Sequence, residues 1–174
     1  MHLNSDYHYC PQCGYLWDSP GATSKIGKHI VCKNCEFILY KDPKVAVCVI
    51  IEVNGKIVML KRILPTENGH WAIPGGFVDA GESLEMAAIR EVQEEVLLNI
   101  EIAGLVGVYS KEGDSVVLIV YEGKIKDGQP GCGAEALEVG LFDYDSLPWH
   151  DLSFKANYEA LQDYYARHNS GEKI

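Results

Sequence analysis

Apolar and polar positions change their rhythm several times along the chain. Residues 45–51 form an unbroken run rich in β-branched side chains, the mark of a buried strand. Asn54-Gly55 follows as a hairpin turn, and residues 56–62 read as the return strand. Residues 71–74 are a short extended piece that runs into a glycine loop beginning Gly75-Gly76. From Ser83 to about Leu98 the apolar positions recur at helical spacing. Residues 103–110 and 116–125 read as a strand pair turning at Glu112-Gly113-Asp114, residues 127–134 as a glycine-rich loop, and residues 139–144 as a last strand. Residues 151–168 carry a helical stripe that includes Phe154, Leu161 and Tyr165. Strands and helices mix without strict alternation, so the predicted class is α+β (mixed).

The helix from Ser83 carries an unusual load. Glu91, Glu94 and Glu95 are three and four residues apart and share a face, although like charges at that spacing oppose helix formation by roughly 0.2–0.5 kcal/mol per pair. A solvated acidic face would lie opposite the apolar stripe. At about 100° per residue, Glu91 falls about 20° to one side of Leu84 and Glu95 about 20° to the other. Ala87 and Ala88 share the stripe, so these carboxylates are expected to face the protein body. Something positive is expected among them, and oxygen-only clusters suit Mg²⁺ or Mn²⁺. The glycines at 75, 76 and 81 precede the helix N-terminus, which makes the loop a natural site for phosphate. A divalent ion beside a bound diphosphate, with a glutamate to take a proton from water, describes phosphoanhydride hydrolysis. Arg90 is placed to orient the glutamates around it.

Residues 1–41 have a different character. Cys10-x-x-Cys13 and Cys32-x-x-Cys35 have the spacing of a four-thiolate zinc site, and few apolar residues lie between the pairs. A metal-held module is expected, with a turn at 18–21. Four thiolates leave no open position, so the Zn²⁺ would be structural. Cys48 and Cys132 stand alone. The expected domains are therefore 1–41 and 42–174, the second ending in the C-terminal helix.

Of the 174 residues, 15 are Lys or Arg and 25 are Asp or Glu, a net charge of −10. Residues 1–44 hold five lysines against four acids, so the remainder carries −11. That balance makes duplex nucleic acid an unexpected partner. No apolar run approaches the length of a membrane span, and Met1–Asp6 has neither the basic start nor the apolar stretch of a signal peptide. A membrane partner is not expected, and the default location is cytoplasmic.

Gly76, Glu82, Arg90, Glu91, Val92, Glu94, Glu95 and Leu98 together resemble the Nudix box, G-x5-E-x7-R-E-U-x-E-E-x-G-U, where U is aliphatic. It departs at the glycine that helps end the helix, where the chain carries Leu97, which leaves the helix end open and allows it to move as far as Asn99. The resemblance covers roughly residues 44–150 and implies a Nudix α/β/α sandwich that hydrolyses a nucleoside diphosphate linked to another moiety. Glu91 and Glu95 would be the principal metal ligands, with Glu94 a further ligand or base, and Glu82 is grouped with the substrate-binding positions. A four-cysteine ribbon before such a domain resembles the NADH, FAD and ADP-ribose pyrophosphatase group. In that group a further metal-binding glutamate comes from the loop before the last strand, which implies Glu135, with Glu138 as the alternative. It also implies that Tyr40 and Phe77 stack on the substrate's ring beside Gly75 and Gly76. Residues 107–113 lack the proline-rich run of NADH pyrophosphatases, which favours ADP-ribose or FAD over NADH, with AMP and a second phosphate ester as products. Dinucleotide-capped RNA would use the same chemistry, and related enzymes are often homodimers. The alternative is a non-catalytic nucleotide sensor that uses the ribbon as an interaction module. Trp71 is expected in the core, and the six histidines show no metal spacing.

Overall fold

The computed structural model describes residues 7–18, 20–27, 29–63 and 69–170. Met1–Asp6 therefore lies outside the described residues, as does Ser19 of the turn expected at 18–21. The chain forms two compact units, Met1–Asp42 and Pro43–Ile174.

The first unit is a three-stranded antiparallel sheet of β1 (Thr23–Ile26), β2 (His29–Cys32) and β3 (Ile38–Leu39). Its core contains Trp17, Ala22, Ile30 and Leu39 together with two of the cysteines, Cys10 and Cys32. The scarcity of apolar residues between the pairs is thus offset by a fully buried Trp17, which packs directly against thiols.

The second unit is built on a seven-stranded mixed sheet with the order β10-β5-β4-β9-β8. β4 (Lys44–Val53) lies at its centre, parallel to β9 (Val116–Asp127) and antiparallel to the short β7 (Gly75–Phe77). Asn54 and Gly55 both have positive φ, 52° and 78°, the geometry a tight turn into β5 (Lys56–Arg62) requires. β6 (Trp71–Ala72) pairs with β5, and Trp71 is buried edge-on against Phe142. β8 (Asn99–Tyr109) and β10 (Ala136–Phe142) form the two edges. Both sheet faces are covered. α1 (Leu84–Val96) packs Ala87, Ala88, Val92 and Val96 against Val47, Val49 and Ile51. On the other face α2 (Lys155–Ser170) packs Ala160, Leu161 and Tyr164 against Ile50, Met59 and Val120. The architecture is the mixed α+β sandwich expected. No helix among the described residues is long and apolar enough to cross a membrane.

Five local expectations are corrected. Gly75-Gly76 is not loop: it pairs with β4 through Cys48↔Gly75 and Val47↔Gly76, and the chain turns only after Phe77. α1 does not run on to Asn99, because Leu97 takes the left-handed conformation (φ 59°) and stops it. β10 begins at Ala136 rather than at 139, because its early residues already pair with Arg62 and Lys61 of β5. α2 starts at Lys155 rather than 151: Leu152 bridges to Trp71, and the Ser153 amide donates to the Trp71 carbonyl at 2.9 Å, which holds this segment extended. Leu161 is buried, but Phe154 and Tyr165 are partly exposed, and Tyr165 stacks on Tyr144 instead of joining the core.

Candidate metal centre and cleft

Ser83 caps α1 by accepting a hydrogen bond from the Met86 amide at 3.2 Å. With the helix anchored there, Glu91 and Glu95 project onto its inner face, 7% and 0% exposed, whereas the Glu94 side chain is half exposed. The positive charge that the spacing calls for is supplied by two arginines. The Arg90 Nε and Nη2 donate to Glu82 at 2.9 and 2.8 Å, its Nη1 donates to Glu91 at 2.8 Å and to Glu94 at 3.2 Å, and Nη2 also reaches the Phe77 carbonyl. Arg90 therefore joins three box glutamates to the turn after β7. The Arg62 Nη2 lies 3.1 Å from Glu95 Oε1, and the Gly75 amide donates to Glu95 Oε2 at 2.8 Å.

The environment sets the proton affinities. Hydrogen bonding to Arg90 holds Glu82 below the usual carboxylate range. Burial raises Glu91 despite Arg90. Burial pushes Glu95 up to about 7, against the pull of Arg62 and the Gly75 amide and with the push of Glu91 and Glu135. Glu95 Oε1 is buried without a hydrogen-bond partner. A buried carboxylate oxygen held by the Arg62 ion pair alone, beside a second buried carboxylate, is a donor set suited to a hard divalent cation. Gly76 is needed for close approach, because a Cβ there would overlap the Glu91 carboxylate.

Part of this set opens onto a cleft of about 670 Å³, whose lining does not include Glu82, Glu94 or Glu95. Gly75, Gly76, Phe77, Arg90, Glu91 and Glu135 all line it. Phe77 is half exposed, with Lys44 Nζ 4.8 Å from its ring centroid. Glu138 points elsewhere and pairs with Lys61 at 2.8 Å. Tyr40 lies in the first unit, exposed and in ring contact with His29.

Several cleft residues were not singled out from the sequence. Arg62 ends a strand of buried apolar residues, and its acidic partners are distant in the chain; a lone cation in such a strand was the available signal. Cys48, next to Gly75, is pushed up to about 12 by burial and by Glu95, so it is a neutral thiol. Asn157 lines the cleft from α2, is 1% exposed, and neither of its amide atoms has a hydrogen-bond partner. An unsatisfied buried amide costs roughly 1–3 kcal/mol. Nothing in the pattern around Asn157 marked it out.

In the first unit the four predicted cysteines converge. Cys10 Sγ and Cys35 Sγ are 3.7 Å apart, Cys13 Sγ and Cys32 Sγ 3.8 Å, and all four lie within 4.8 Å of one another. Tetrahedral coordination with metal–sulfur bonds of about 2.3 Å has edges of about 3.8 Å. Among the described residues this is the one group of three or more His, Cys, Asp or Glu donors so closely gathered. Burial raises the Cys32 thiol, but the Trp17 indole and the Cys35 and Asn34 amides outweigh it and bring it down to about 6. Cys13 is lowered too, chiefly by the Asn34 side chain. Cys35 is drawn down by the Phe37 amide but driven up to about 12 by burial and the neighbouring thiols. The last thiolate forms only if a cation neutralises the set, and four thiolates fit zinc.

The NUDIX domain model matches residues 41–164. The ADP-ribose pyrophosphatase of Methanocaldococcus jannaschii is 38% identical over 117 residues, 65% of this chain and 69% of that protein. The NAD-capped RNA hydrolase NudC of Erwinia tasmaniensis is 25% identical over 144 residues, and the chain spans only 53% of its length. The crystal structure of a NUDIX hydrolase from Nitrosomonas europaea superposes with a TM-score of 0.85 at 31% identity, covering 97% of this chain and 96% of that one.

Proposed function

Given that this chain belongs to the Nudix family and is a Nudix pyrophosphatase, we propose that it hydrolyses the pyrophosphate bond of a nucleoside diphosphate linked to a second moiety, with ADP-ribose or FAD favoured over NADH. AMP and a second phosphate ester would be released. The observation that carries the proposal is the buried pair of Glu91, in the cleft lining, and Glu95 behind it, with one Glu95 oxygen held only by the Arg62 ion pair.

Glu91, Glu94, Glu95 and Glu135 would hold Mg²⁺ or Mn²⁺. When bound, the ion supplies charge neutralisation for the diphosphate and acidifies a coordinated water. Arg90 fixes the rotamers of Glu82, Glu91 and Glu94, so little reorganisation is left to the reaction. Glu94, the most exposed of the three helix glutamates, is the candidate base. Gly75 and Gly76 let the substrate approach the backbone, and Glu82 reaches it through Arg90. Phe77 offers a half-exposed ring for stacking on a heterocycle. The unpaired Asn157 amide would be satisfied by a heterocycle edge that presents a donor beside an acceptor.

Cys10, Cys13, Cys32 and Cys35 would hold a structural Zn²⁺. All six cysteines are free thiols, which suits a reducing, cytoplasmic location. Similarity to NAD-capped RNA hydrolases extends the candidate substrates to dinucleotide-capped RNA, which presents the same bond. A homodimer is proposed on the edge strand β8, which exposes Leu105 and Val108. The experiment is product analysis on ADP-ribose, FAD, NADH and NAD⁺ side by side with Mg²⁺ and with Mn²⁺. AMP release, strongest from ADP-ribose or FAD, is expected. A flat response across the panel would leave the nucleotide-sensor alternative.

A further inference from the structure

Leu97 stands where the box has the glycine that ends its helix, yet α1 ends cleanly at Val96, with Leu97 itself in the left-handed conformation (φ 59°). No basic residue stands in its last turn, so the final carbonyls and the nearby Glu94 and Glu95 would share an uncompensated negative helix end. The compensation comes from the glycine-rich loop more than thirty residues later. The Gly131 amide donates to the Val96 carbonyl at 3.1 Å, and the Gly133 amide donates to the Glu95 carbonyl at 2.9 Å. Gly133 lies so close that a Cβ would overlap the Glu94 carbonyl oxygen, whereas one at Gly131 would only touch the Leu97 side chain. Two residues beyond Gly133, the Glu135 carbonyl accepts from the Ile63 amide at 3.1 Å, next to Arg62, while the residue itself lines the cleft with Glu91.

We propose that Gly133 is a positioning residue: by docking its loop on the last turn of α1 it sets Glu135 against Glu91 and Glu95, so that the divalent-cation site is completed across two segments far apart in the chain. The short tether leaves Glu135 little freedom once both anchors are made. The Gly131 and Gly133 amides thereby satisfy the last carbonyls of α1, and Gly133, which tolerates no side chain, holds the metal ligand two residues on. This inference rests on the proposed Mg²⁺ or Mn²⁺ site.

The test is Mn²⁺ binding, followed by the electron paramagnetic resonance signal of the free ion, in the wild type, Gly131→Ala, Gly133→Ala, Glu135→Gln and the Gly133→Ala/Glu135→Gln double variant. Wild type and Gly131→Ala are expected to bind alike. Gly133→Ala and Glu135→Gln should each weaken binding about 10- to 100-fold, the range for groups that hold metal ligands in place. The double variant should be no worse than the weaker-binding single, and saturating Mn²⁺ should restore the turnover of Gly133→Ala. A purely structural role predicts additive losses and no such rescue, and either result overturns the proposal, as does wild-type-like binding by Gly133→Ala. If Gly133→Ala does not fold, insertion of one glycine after Gly133 keeps the docked amide and shifts Glu135. It should then bind like Glu135→Gln, and wild-type-like binding by the insertion variant would again overturn the inference. A wild type that binds no Mn²⁺ overturns the cation site as well, which separates the two failures.

Discussion

The two units gather donors of opposite kinds, and the contrast lies in what each cluster rests on. In the first, Cys10 and Cys32 are themselves core residues, packed with Trp17 and Ile30, so the donor set and the fold are one object. In the second, two extensive apolar clusters cover both faces of the sheet, and the glutamates are balanced by Arg62 and Arg90. A small unit whose core is its ligands is expected to need a bound ion for folding, whereas a larger one can hold a charged site that its fold does not depend on.

The sharpest way to break this contrast is to remove the ions. A thiol-competing zinc chelator, or Cys32→Ser, should unfold the first unit and expose Trp17, while removal of Mg²⁺ or Mn²⁺ should leave the second unit folded. Circular dichroism and indole fluorescence read both, and a first unit that stays folded without its metal would erase the distinction. Next in size, Glu95→Gln or Glu94→Gln should abolish measurable turnover, a loss of at least about 100-fold, with the second unit still folded. Wild-type-like rates in both variants would remove the glutamates from the chemistry.

Proton linkage sharpens the comparison further. In the metal-free protein Glu95 has its folded pKa raised to about 7 from an ordinary value of 4.5. The folded state therefore holds the proton more tightly. Its contribution is fully present below the unfolded value and is lost as pH rises through about 7. Glu95→Gln should flatten that part of the stability profile between pH 4.5 and 7 in thermal melts, and an unchanged slope would show that Glu95 is not the titrating group. A smaller effect is expected at Asn157→Leu, which fills the same space without polar atoms. It should raise stability slightly and weaken AMP binding about tenfold in calorimetry, by analogy with the cost of roughly 1–3 kcal/mol for an unpaired polar group. The smallest is Leu97→Gly, which relieves a left-handed conformation costing about 1–2 kcal/mol but loses some side-chain contact, so a net gain below about 1 kcal/mol is expected in urea unfolding.

Much of this was legible before any coordinates. Helical periodicity alone turned Glu91 and Glu95 toward Leu84, Ala87 and Ala88, because the angular position of a side chain on a helix is a local property of spacing. The two Cys-x-x-Cys pairs and the Asn54-Gly55 turn were readable for the same reason. The β7 pairing of Gly75 and Gly76 was not, since glycine next to a strand and glycine in a loop look alike until a partner strand is known. Where α1 stops was not readable either, because the amides that close it come from the glycine-rich loop.

The sequence by itself determined which groups could carry chemistry, and on which face of a helix or at which spacing they stand. Only the tertiary structure decided what neutralises them: Arg62 for Glu95, Arg90 for three glutamates, and the Gly131 and Gly133 amides for the end of α1. Charge and hydrogen-bond complementarity act through space, at a few ångströms, between residues whose separation along the chain carries no information about their contact.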